Sequence, residues 1–189
     1  MFHPAKLEEA LKLLGDLLAD RGCHFAVVAI GGAGLQLLGV IDRPTRDIDL
    51  VALVADDKLV HVGSSLPPTL AEAVADVGRS LNLTVDWMNG GPGQLLDLGL
   101  PAGFRDRLLR RVYGGGLEVL LASRFDQIHF KLYAAADGSP GGKHHADLKR
   151  MKPSRVELLA AARWAQTHDP SDGFSTMLAG VLRDFGIED

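Results

Sequence analysis

A chain of 189 residues with 47% hydrophobic content holds enough apolar material for one buried core, or one core with a small appendage. Its formal charge of −4 supplies no global basic field to recruit nucleic acid or anionic membrane, so any such contact is local. The single cysteine, Cys23, excludes an intrachain disulfide and a zinc cluster and, in apolar surroundings, reads as a small buried hydrophobe.

The segment Lys6–Asp20 carries Leu7, Leu11, Leu14 and Leu18 at helical spacing and ends at Arg21-Gly22. The short β-branched run His24–Ile30 predicts a buried strand. A Gly31-Gly32 turn then opens a short helix over Ala33–Leu38. A second strand is expected over Asp47–Val54, with Asp47, Asp49 and Val51 on one face and Ile48, Leu50 and Ala52 on the other. Pro67–Leu81 reads as a helix, Leu83–Trp87 as a third strand, and Asn89–Gly93 as a flexible turn. Leu108–Tyr113 and Leu117–Leu121 flank Gly114-Gly115-Gly116, a hairpin pattern. Ser123 caps a helix running to about Ala136, with Asp126 as its partner. A loop over Asp137–Gly142 follows, then helices over His144–Met151, Arg155–His168 and Ser171–Phe185.

These elements predict an α+β fold: a small mixed sheet flanked by helices, followed by a helical C-terminal third. The expected division is residues 1–122 as the core and 123–189 as a helical part packed on it. No run approaches the roughly 18–20 apolar residues that span a bilayer, and the first helix mixes charges with leucines, unlike a secretory leader. The expectation is a soluble cytoplasmic protein with no membrane partner.

Chemistry concentrates between Gly31 and Asp49. A diglycine turn lets phosphate approach the backbone, because no side chain intervenes. Asp47 and Asp49, alternate residues of one strand, face the same way, and like charges side by side call for a cation between them. Asp86 adds a third acid from the next expected strand, where a carboxylate between apolar neighbours calls for a partner. Three acids around two Mg²⁺ ions about 3.5–4 Å apart suit in-line phosphoryl transfer, with Mn²⁺ as a substitute ion. The bland alternative makes Asp47 a turn residue, Asp49 a surface residue and Asp86 a strand-end cap. Arg43, Thr45 and Arg46 precede the acids; they either contact phosphate or, in the case of the arginines, neutralise Asp42 and Asp47.

Apolar strand, Gly-Gly, helix, Arg43-Pro44-Thr45-Arg46-Asp47-Ile48-Asp49 and a later acid together resemble the nucleotidyltransferase superfamily with its polymerase-β-like fold. The closer resemblance is to its toxin-like branch, typified by abortive-infection nucleotidyltransferases that act in toxin–antitoxin pairs. The fourteen residues between Gly32 and Asp47 are more than in many superfamily members but suit this branch. The resemblance implies transfer of NMP from an NTP to a hydroxyl. The acceptor would be an RNA such as tRNA, or a protein, and a cognate antitoxin would be a further partner. It gives Asp47, Asp49 and Asp86 the metal roles, with Asp86 also helping to deprotonate the acceptor. It gives Gly31 and Gly32 the triphosphate. It also implies a lysine on a later helix facing the nucleotide and an acid on the next helix, which Lys131 and Asp147 match. The likeness weakens from Arg105 onward.

Two basic clusters, Arg105 to Arg111 and Lys143 to Arg155, read first as solvated faces and second as local tracks for an RNA acceptor. Adjacent side chains on a helix diverge, which argues against a metal site at His144, His145 and Asp147. A different class of function, a catalytically silent nucleotide-binding or partner-docking module of the same fold, also accommodates these residues. So does a phosphodiesterase or nuclease using the same carboxylates.

Overall fold

A computed structural model describes residues 1–63, 65–138 and 141–188. The protein is α+β, with a mixed six-stranded open sheet flanked by helices and a helical C-terminal part. Contacts divide it into two compact units, one of residues 1–100 and 105–122, the other of residues 101–104 and the chain from Ser123 onward.

The first unit begins with helix α1 (Pro4–Asp20) and strand β1 (Phe25–Ile30), followed by helix α2 (Gly31–Leu37) and strand β2 (Ile48–Ala55). Strand β3 (Lys58–Val60), helix α3 (Pro68–Ser80), strand β4 (Met88–Asn89) and helix α4 (Gln94–Leu98) come next. Strands β5 (Leu109–Tyr113) and β6 (Leu117–Leu121) close it. The strand order is β3-β2-β1-β6-β5, with β4 also pairing with β2. Pairs β1–β6 and β2–β4 are parallel, and the others are antiparallel.

The leucine stripe of α1 accounts for the packing. Leu7, Leu11, Leu14 and Leu18 are fully buried and share one core with Leu70, Val74 and Val77 of α3 and with Val27, Ala29, Ile48, Leu50, Leu117, Val119 and Leu121 of the sheet. Gly15 lies on α1 where the β5–β6 hairpin crosses it, and Gly116 N donates to Gly15 O at 3.0 Å. A Cβ at Gly15 would collide with the Tyr113 carbonyl, which is backbone and cannot rotate away. Gly15→Ala is therefore expected to destabilise the protein by about 2–3 kcal/mol despite alanine's better helix propensity. Urea unfolding measures this, and an unchanged midpoint would contradict the packing described.

Four expectations need correction. The segment Leu83–Trp87 is not a strand: Trp87 N donates to Thr84 O at 3.2 Å, closing a turn that carries Asp86. Burial of Trp87 decides this. Its indole donates to Val74 O at 2.8 Å and its ring lies 5.7 Å from Phe2, so the chain bends to send it inward and pairing starts only at Met88. Second, the Asn89–Gly93 turn contains the last residue of β4 and a 3₁₀ turn, Gly91–Gly93. Third, the β1–β2 register steps at Val28/Ala29, leaving Val51 as an extra residue. Ala52 then pairs with Val28, and Leu53, not Ala52, joins Ile48 and Leu50 against the core. Fourth, Cys23 is half-buried, its thiol reaching Arg21 O at 3.5 Å.

The second unit is built on helix α5 (Arg124–Ala136), against which α6 (Lys143–Met151), α7 (Arg155–His168) and α8 (Asp172–Arg183) all pack. Of the expected loop Asp137–Gly142, residues 139 and 140 lie outside the described residues. Serines begin three of these helices as expected of N-caps: Ser123 accepts from Asp126 N, Ser154 forms a capping box with Glu157, and Ser171 accepts from Phe174 N. Arg124 ties the end of α6 to the start of α7, donating to Met151 O at 3.1 and 2.6 Å and to Glu157 at 2.5 Å. Burial pushes the Glu157 carboxyl up, but Arg124 and the Ser154 cap outweigh it and hold it below the usual range. That contribution to stability is present above the ordinary carboxylate range and is lost as pH falls through the lowered value. Among the described residues, no helix is long and apolar enough to cross a membrane.

Candidate functional site

The diglycine and the Asp-Ile-Asp segment meet because β1 and β2 are neighbours. Ile30, the last residue of β1, sits opposite Asp49, and the chain enters α2 at the next residue. Gly31 has φ +75°, a conformation glycine adopts without a Cβ penalty. A Cβ there would lie 2.5 Å from Asp49 Oδ2, so the carboxylate rests against the bare backbone of the turn. A Cβ at Gly32 would lie 2.7 Å from Thr45 Oγ1 and 3.5 Å from an Arg43 guanidinium nitrogen. Gly31, Gly32, Arg43, Thr45 and Asp49 thus form one constellation.

Asp47 lies just before β2. It and Asp49 are half-buried, while the intervening Ile48 and the following Leu50 are fully buried. This alternation is what a shared face for the two acids requires. The two carboxylates beside a cradle that a Cβ would fill are a donor set suited to a hard divalent cation.

Asp86 lies elsewhere than expected. It sits on the exposed turn before β4, and Ile48 N donating to Trp87 O at 2.7 Å sets that turn beside the start of β2. Its carboxylate lies 3.6 Å from Arg46, with 49% and 67% of the two side chains exposed. Among the described residues, no three His, Cys, Asp or Glu side chains gather as a metal site. Arg46 thus pairs with Asp86, not with the acids nearest to it in sequence, Asp42 and Asp47. Such an exposed pair is worth about 0–1 kcal/mol, little to lose on rearrangement.

Lys131 and Asp147 come together within the helical unit. Lys131 Nζ donates to Asp147 Oδ2 at 2.9 Å, with side-chain exposures of 5% and 0%. A helical stripe alone would not reveal this pairing across 16 residues. Of the basic clusters, Arg110 binds Glu118 at 2.6 Å and Arg111 binds Glu8 at 2.7 Å, so these two serve the fold. His145 lies 3.1 Å from Asp184, not in a cluster with Asp147.

Sequence reasoning missed Gln36 and Phe2. Phe2 makes an antiparallel bridge with Thr45, and Gln36 donates to both Phe2 O and Arg43 O. The available signal was one polar residue inside the apolar run Leu35–Leu38, a turn after Gly32.

No family model, curated protein or solved structure matches the chain.

Proposed function

We propose that the protein is a Mg²⁺-dependent nucleotidyltransferase that moves NMP from an NTP to a hydroxyl on RNA, such as a tRNA, or on a protein. The observation that carries this reading is the seat of the Asp49 carboxylate against the Gly31 backbone, on the face that alternation gives to Asp47. Asp47 and Asp49 would hold the cation, which when bound polarises phosphate oxygens and neutralises their charge. Two carboxylates suffice where triphosphate oxygens and water supply the other ligands.

Gly31 and Gly32 carry no side chain of their own to bar a triphosphate, and Thr45 and Arg43 border Gly32 as further donors. The acceptor oxygen bonds to the α-phosphorus, the bond to the bridging oxygen breaks, and pyrophosphate leaves. The acceptor's proton passes to Asp86, whose exposed carboxylate is released from Arg46 at small cost. The toxin role, with a cognate antitoxin as partner, rests on the sequence resemblance.

Incubating the protein with each α-labelled NTP, Mg²⁺ and total RNA or lysate tests the reading. Label is expected on an acceptor and is expected to vanish in excess EDTA. Transfer that persists in EDTA overturns the metal role. The second reading, a nucleotide-binding module without chemistry, is favoured by the lack of a three-acid group among the described residues. Calorimetric binding of Mg²⁺ and NTP with no label on any acceptor would select it.

A further inference from the structure

We infer that Gln36 is a positioning residue, a buried amide clamp that holds the Arg43–Thr45 segment against the diglycine. What the segment binds rests on the nucleotidyltransferase reading; the clamp itself does not.

Gln36 lies one helical turn after Gly32, so the two share the face of α2 that looks onto this segment. It is 5% exposed. Its Nε2 has two hydrogens and two carbonyl partners, Arg43 O at 2.6 Å and Phe2 O at 3.2 Å. Phe2 O also accepts from Thr45 N at 3.0 Å, and Phe2 N donates to Thr45 O at 2.6 Å. Phe2 in turn is 1% exposed, its ring tilted against that of Trp87. One amide therefore joins the buried Phe2 anchor, the main chain of Arg43 and helix α2. Through them it sets where the Thr45 hydroxyl and the Arg43 guanidinium stand relative to Gly32.

Packing alone does not account for a glutamine here. Gln36 Oε1 is buried with no partner among the described residues, a cost that leucine or methionine of similar volume would avoid. The donors are the part of the side chain in use. Both donors face carbonyl oxygens, so glutamate would set acceptors against acceptors, and methionine would keep the volume and lose the donors.

The test uses the full chain and two variants, Gln36→Glu and Gln36→Met, the second serving if the first does not fold. Two quantities are read: hydrogen exchange of the Thr45 amide, and KM and kcat for α-labelled NTP. Exchange at Thr45 and KM are each expected to rise about tenfold, the scale of one lost hydrogen bond, while kcat stays within about threefold. A folded Gln36→Met protein with unchanged Thr45 exchange overturns the clamp. Loosened Thr45 with kcat lowered and KM unchanged overturns its role in holding the phosphate-facing groups. If the wild-type protein transfers no label, the functional reading fails, and Thr45 exchange still decides the clamp.

Discussion

Asp49→Ala is expected to lower label transfer more than about a hundredfold, beyond the 10–100-fold typical of losing a mere supporting partner of a metal ligand. Asp47→Ala is expected to do the same. Both variants should remain folded, because these acids are half-buried at the rim of the sheet while Ile48 and Leu50 supply the packing. Circular dichroism and the thermal midpoint establish folding, and initial rates with saturating Mg²⁺ establish the loss. The position of Asp49 makes it the more informative site. Its carboxylate touches the Gly31 backbone, so the variant removes a charge from the proposed phosphate cradle without removing a core contact. Transfer within a few-fold of wild type in a folded Asp49→Ala protein would remove Asp49 from the mechanism.

Lys131→Met is expected to destabilise the protein by about 3–5 kcal/mol, because it strands the fully buried Asp147 carboxylate without its ammonium partner. Asp147→Leu should cost a similar amount by stranding Lys131. The double variant Lys131→Met/Asp147→Leu should recover most of the loss, since a buried pair replaced by apolar groups of similar volume is often neutral. A total stability of about 5–15 kcal/mol makes the single losses large enough to read by urea unfolding. The double variant also separates structure from function. The resemblance implies a lysine facing the nucleotide at Lys131, so label transfer by the stable double variant is expected to fall. Recovery of both stability and transfer would confine Lys131 to the fold. A single variant that unfolds like the wild type would show that the pair is not buried as described.

Local chemistry made most elements legible. The leucine stripe of α1, the serine cap of α5 and the triple-glycine hairpin each report on residues within a few positions of themselves. The Leu83–Trp87 segment failed for the opposite reason. Its β-branched residues suit a strand, but a tryptophan that must reach Val74 O bends the chain into a turn, and no local pattern announces that hydrogen bond. The short strand β3 was missed because three residues paired on one side leave little periodicity to read.

The site divides along the same line. Gly31-Gly32 and the Asp47-Ile48-Asp49 alternation lie in single short segments, where backbone freedom and period-two side-chain direction act locally, so the sequence by itself determined them as candidates. Only tertiary structure decided that the diglycine rests against Asp49, that Arg46 faces Asp86, that Lys131 faces Asp147, and that Gln36 ties Phe2 to Arg43. Those pairings depend on strand neighbours and on which side chains the core takes in. Burial and register are properties of the whole packed chain rather than of any window along it.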